Sequence, residues 1–142
     1  MHECLAGDLH VRAMILGRMT DRLAAEDELL TAAAIAPRCW RYWIQMANWR
    51  IERRDWRGAE TAINEALARE PLCVEAWFDR GLIAEKRGDR VGARRWYRRA
   101  LLLRARLAQR PGLNVLEEWL SWSKPFYERH IRGRLLNVGG ER

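Results

Sequence analysis

The sequence predicts an all-α protein: a short α-solenoid of three helix-turn-helix hairpins closed by C-terminal capping helices. Three observations carry this prediction. The chain matches itself when shifted by 34 residues. Apolar residues recur at helical spacing within each half of the repeat. Asp, Gly and Pro punctuate the halves at equivalent places.

The coincident positions are specific. Asp21, Asp55 and Asp89 align, as do Ala25, Ala59 and Ala93, and then Ala32, Ala66 and Ala100. Leu29, Ile63 and Tyr97 form a bulky column. Trp43 matches Trp77, Pro37 matches Pro71 with Ala105 at the third place, and Cys39 matches Cys73. The units run over about 6–39, 40–73 and 74–107 of a repeat domain spanning 1–110, followed by a capping and docking segment at 111–142.

In the first unit, helices are expected at 9–19 and 22–35, joined at Thr20-Asp21. In the second, 40–53 is helical, with Trp40, Trp43, Ile44, Ala47 and Ile51 at helical spacing. Arg54-Asp55 turns the chain, and the Asp55 carboxylate caps a helix over 56–69. Pro71 stops that helix, because proline lacks an N–H and biases Glu70 away from the α region. In the third unit a helix at 74–87 ends at Gly88, the residue type suited to a left-handed C-terminal turn. Asp89 then caps a helix over 90–109. The small residues Ala25, Ala59, Ala93 and Gly81 stand where helix backbones must approach, while Leu29, Ile63, Tyr97, Trp43 and Trp77 fill the space between.

A stack of repeats leaves its last apolar face open, so a cap is needed. Pro111-Gly112 breaks the chain after the third unit. Asn114 and Glu117 start a short helix over 115–122, and a basic helix follows at 125–136, with Pro125 tolerated in its first turn. The end, 138–142, is expected to be loose.

These residues resemble the tetratricopeptide repeat family, whose pattern is Trp-x2-Leu-Gly-x2-Tyr, Ala-x3-Phe and then Pro over 34 residues. The third unit matches at Trp77, Gly81, Ala93, Tyr97 and Ala100 and departs at Arg80, Ala84 and Ala105. The second matches at Trp43, Ala59, Ile63, Ala66 and Pro71 and departs at Met46, Ala47 and Arg50. The first matches only in its second helix, so the resemblance covers about 6–105. It implies a concave groove lined by the first helix of each unit, where partner segments bind. The groove residues it implies are Ile44, Gln45, Asn48, Ile51 and Glu52, then Glu75, Phe78, Asp79, Leu82 and Glu85. His10, Met14 and Arg18 are the counterparts in the first unit. Ile44, Phe78 and Leu82 would offer apolar pockets, and Gln45 and Asn48 would hydrogen-bond an extended ligand. The subfamily that clamps the C-terminal carboxylate of heat-shock chaperones places Lys, Asn and Arg where this chain has His10, Met14, Gln45, Glu75 and Asp79. Carboxylates in the third helix would repel an acidic tail, so a neutral or basic segment is the expected groove ligand. A second resemblance, to the half-a-tetratricopeptide repeats of RNA-processing scaffolds, rests on Ala93-Arg94 and Arg99-Ala100-Leu101. The regular 34-residue spacing, Gly81 and Pro71 favour the ordinary repeat.

Composition excludes other classes. The 142 residues suffice for one domain, and 49% hydrophobic with 32% charged residues is a globular balance. No run of about 18 apolar residues occurs, and Met1-His2-Glu3 does not open a signal peptide. His2, His10 and His130 are scattered, and no CxxC, HExxH, GxSxG or phosphate-loop pattern is present. No catalytic residue, metal ligand or cofactor is therefore expected. Cys4, Cys39 and Cys73 read as free, buried thiols of a reducing, cytoplasmic compartment.

The remaining signal is charge. The net charge is +7, and almost all of the cations are Arg. Arg94, Arg95, Arg98 and Arg99 form a basic face on the last repeat helix, suited to an acidic protein partner, with nucleic acid or anionic membrane as the alternative. The function expected is non-catalytic protein binding, as an adaptor, assembly factor or chaperone-like subunit of a larger complex. Trp119, Trp122 and Phe126 are candidate docking aromatics in the cap. The basic stretch 124–134 complements Glu75, Asp79 and Glu85 and is expected to occupy the groove, in cis or from a neighbouring copy.

Overall fold

A computed structural model describes residues 21–108 and 124–139. Among them are six α-helices and no strand: α1 Arg22–Ile35, α2 Trp40–Glu52, α3 Trp56–Arg69, α4 Val74–Lys86, α5 Arg90–Ala108 and α6 Lys124–Asn137. The described residues are all-α, with helices packed in antiparallel pairs. The five described repeat helices lie within a residue of the expected bounds. The helices expected at 9–19 and 115–122 lie outside the described residues.

The Asp column is a set of helix N-caps. Asp21, Asp55 and Asp89 each accept a hydrogen bond through Oδ1 from the backbone N–H three residues on, at 3.0, 3.0 and 2.9 Å. Each Asp carbonyl also accepts from the N–H of the aligned Ala25, Ala59 or Ala93. Four N–H groups at a helix start have no intrahelical acceptor, and the carboxylate satisfies one of them. The turns before these caps share one geometry. Gly88 has φ 83° and Arg54, one repeat earlier, has φ 63°. In both turns the capping Asp donates its N–H to a carbonyl five residues back, at 2.8 Å, closing the preceding helix. Glycine adopts this left-handed backbone freely, whereas the arginine pays a steric penalty.

The chain divides into two compact units, Met1–Ala76 and Trp77–Arg142. In the first, α2 and α3 form a hairpin and α1 packs on α2. Leu29, Met46, Ile63 and the column alanines Ala25, Ala32, Ala59 and Ala66 are fully buried. Each large side chain of this kind contributes about 1.5–3 kcal/mol by leaving water. Glu26 of α1 is also buried, and it holds α1 to the end of α2. Arg53 donates to both of its oxygens, at 2.7 and 3.3 Å, and Arg50 Nε lies 3.5 Å away. Arg50 also donates to the Gly58 carbonyl at 2.9 Å, tying α2 to the start of α3.

In the second unit, α5 packs against the Trp77–Lys86 part of α4 on one side and α6 on the other. Tyr97, Ala93, Ala100 and Ile131 are fully buried, and Leu135 and Val138 nearly so. Gly81 lies flat against the Tyr97 ring, where even a Cβ would collide with Cδ1 and Cε1. Its role is close approach, since its φ is not in the left-handed region.

One expectation is corrected. Cys73 is a free, buried thiol, but Cys39 is disulfide-bonded, which removes the argument for a reducing compartment from three free thiols. Arg104 of α5 is buried, unlike Arg95, Arg98 and Arg99 of the same helix. It is 4% exposed, and its terminal nitrogens are buried with no hydrogen-bond partner among the described residues.

Candidate binding surfaces

The expected inner-face residues of α2 divide by burial. Ile44 and Ile51 are buried, Gln45 and Asn48 are half-buried, and Glu52 is exposed and paired with Arg22 of α1. The helical pitch explains the division. Ile44 and Ile51 stand seven residues apart on the stripe facing the core, and Gln45, Asn48 and Glu52 follow one position round on the neighbouring stripe. Ile44 is thus a core side chain and offers no pocket. In the same unit, Glu75 faces Arg41. Burial pushes the Glu75 carboxyl up against the opposing pull of the Arg41 guanidinium. Burial also lowers Arg41 to about 10, still protonated at neutral pH.

In the second unit the expected inner face is occupied by the chain's own α6. The His130 ring lies against Phe78, with centroids 5.2 Å apart, and Tyr97 packs near the same phenyl ring at 5.4 Å. Arg134 donates to Glu85 Oε2 at 2.7 Å, and Tyr97 Oη donates to Glu85 Oε1 at 3.3 Å. Phe78 and Asp79 are buried, and Leu82 is half-buried. The basic segment therefore meets the acidic helix in cis, at Glu85. Burial and the adjacent Glu85 carboxylate hold the Tyr97 phenol far above its ordinary range. Burial, with the Arg134 cation, lowers His130, and Glu85 opposes the shift.

The basic face is built differently from a simple row of solvated cations. Trp77 and Trp96 stack at 5.6 Å and 25°. The Arg99 guanidinium sits 4.4 Å over Trp77, and Arg95 sits 5.8 Å over Trp96. Arg80, which the sequence reading set aside as a departure from the repeat pattern, lies 4.9 Å from Trp77 and 5.3 Å from Trp96. Indole faces carry negative potential, which attracts the guanidiniums placed over them. Arg94 donates to the Gly139 carbonyl at 3.4 Å, joining α5 to the end of α6. Arg98 is exposed and lines a cleft between α5 and α6. α5 holds seven Arg and no acidic residue, so nothing on that helix neutralises the face.

Trp119 and Trp122 lie outside the described residues, as does the side chain of Phe126. Among the described residues no group of three or more His, Cys, Asp or Glu is placed to hold a metal ion. No helix among them is long and apolar enough to cross a membrane.

Residues 44–112, most of the second and third units, match the tetratricopeptide repeat family. The segment is similar to a family of repeats that generally serve as protein–protein interaction scaffolds. Comparison with curated proteins gives no match.

Proposed function

We propose that the protein is a non-catalytic binding module, an adaptor or assembly factor, that takes a neutral or basic segment of a protein partner along α2. The carrying observation is the stripe of Gln45, Asn48 and Glu52 in a region matched by an interaction repeat. These polar side chains reach the surface while their apolar neighbours fill the core. Side-chain amides pair with an extended backbone as both donor and acceptor, and Glu52, already paired with Arg22, borders the stripe. The acidic positions of α4 contribute less, because Glu75 faces Arg41 and Glu85 is held by Arg134.

Affinity purification with mass spectrometry names the partner, and Gln45→Ala with Asn48→Ala then tests the site. The double variant is expected to lose the partner while keeping its helical circular dichroism. Unchanged capture by the folded variant refutes the reading. Phe78→Ala is unsuitable as a probe, because Phe78 is a core residue.

A second reading is favoured by the Arg–Trp ladder: an acidic protein partner contacting Arg94, Arg95, Arg98 and Arg99. Nucleic acid fits the ladder less well. Single strands bind by stacking bases on open aromatic faces, and here the indoles stack on each other and under guanidiniums.

A further inference from the structure

The second helices of the three repeats carry different outer faces. On α3 the outward stripe is Arg57, Thr61, Asn64 and Ala68, all exposed and none of them a large apolar residue, as suits a solvated helix face. The positions one repeat earlier, on α1, are Leu23, Asp27, Leu30 and Ala34. Those one repeat later, on α5, are Val91, Arg95, Arg98 and Leu102. These eight are also exposed, with Leu23, Leu30, Val91 and Leu102 at 67, 42, 71 and 56%. Large apolar side chains lined along one exposed helix face mark a contact surface more than scattered single ones do.

Between their apolar residues the two stripes carry opposite charge. Asp27 uses its backbone carbonyl to accept from Thr31, and its exposed carboxylate has no ion pair among the described residues. The exposed Arg95 guanidinium sits over the Trp96 ring and meets no acid among the described residues. The same polarity runs through the two units. Met1–Ala76 holds 12 Asp and Glu against 10 Arg, a net −2. Trp77–Arg142 holds 16 Lys and Arg against 7 Asp and Glu, a net +9.

We propose that α1 of one copy docks on α5 of another, so that the occupant of each face is a second copy of this chain. In this contact Leu23 and Leu30 cover Val91 and Leu102, and Asp27 meets Arg95. Two unlike faces make a heterologous contact. Apolar burial supplies the attraction, and charge selects α1–α5 pairing over α1–α1 or α5–α5, where like charges meet. One pair of helix faces is smaller than a standard interface, so the association is weak and depends on concentration. The proposal rests on the second reading above, an acidic protein partner at the basic face, and names that partner.

The test measures the weight-average mass of the full chain by sedimentation equilibrium, from about 10 µM to about 1 mM. At about 0.05 M salt the mass is expected to rise at least about 1.5-fold over that range, and to rise less at about 0.5 M, where the charge pair is screened. Asp27→Arg and Arg95→Glu change exposed side chains and are expected to stay folded by circular dichroism. Each alone should hold the mass near that of the monomer, since like charges then face each other. An equimolar mixture of the two should regain association, because between unlike copies every α1–α5 pair again joins an acid to an arginine. Leu102→Gln should raise the dissociation constant at least about threefold, through lost apolar contact. A monomer at every concentration, a rise lost in neither or only one of the charge variants, or a mixture that stays monomeric overturns the proposal. So does a rise abolished by nuclease treatment, which would make nucleic acid the occupant. A fluorescent Glu-rich helical peptide separates this failure from that of the reading beneath it. If the peptide binds and Arg95→Gln/Arg99→Gln weakens it while the chain stays monomeric, the acidic partner survives and the second copy fails. If the peptide does not bind, or binds that variant equally well, both fail.

Discussion

Arg54 and Gly88 occupy one position of the repeat with one backbone geometry, yet only one of them is a glycine. A left-handed backbone costs a residue with a Cβ about 1–2 kcal/mol, and the extra freedom of glycine in the unfolded chain returns part of that. Arg54→Gly should therefore raise stability by about 0.5–1 kcal/mol. Urea unfolding checks this, with Gly88→Arg expected to shift the midpoint the other way. Gly81 gives a larger effect. Gly81→Ala drives a methyl into the buried Tyr97 ring, and overpacking of that kind costs about 1–3 kcal/mol. A variant with unchanged unfolding midpoint would refute the close approach. Both glycines were legible in the sequence, one as a turn and one as a small residue in a bulky column. The strain at Arg54 was not, because residue type alone does not report φ.

At the scale of the element, the three Asp caps are equivalent in geometry, so their removal should cost similar amounts. Asp55→Ala and Asp89→Ala should each lose about 1 kcal/mol, the usual worth of an N-cap carboxylate. The α6 helix adds a pH dependence through His130, lowered from 6.5 by burial and by the Arg134 cation. A depressed folded value means that the unfolded chain binds the proton more tightly. The stabilisation is present above pH 6.5 and is lost as the pH falls through the folded value. Urea unfolding of the parent protein and of His130→Gln, at about pH 7.5 and 5.5, isolates this group. The parent should lose more stability on acidification than the variant, and parallel losses would show that the Phe78 contact does not sense the charge. The sequence indicated that 124–134 is basic and complements the acidic helix. Its weakly amphipathic pattern did not disclose which ring it would rest on.

For the whole molecule, α6 is the element on which the second unit closes. Ile131, Leu135 and Val138 are buried, and each such side chain is worth about 1.5–3 kcal/mol when removed from water. Deleting residues 124–142 should lower the thermal midpoint and raise binding of a hydrophobic dye. It should also uncover Phe78 and Glu85. If the truncated chain gains affinity for basic peptides, α6 competes for that face. An unchanged midpoint would mean that α6 contributes no closure.

The architecture was written in short-range pattern. Helical spacing, Asp caps, a turn glycine and small residues in aligned columns act over a few residues each, and a 34-residue period repeats them. The similarity to tetratricopeptide repeats over 44–112 rests on the same columns. What only the tertiary structure decided is which surface remains for a partner. Glu85 and Arg134 are 49 residues apart, and Arg94 meets Gly139 across 45. Arg80 stacks on Trp77 from the same helix but reaches Trp96 only through the fold. No local periodicity encodes such pairs, because they depend on where α6 settles and on how α4 and α5 cross. That placement covers Phe78, neutralises Glu85 and holds the guanidiniums of Arg80, Arg95 and Arg99 on indoles.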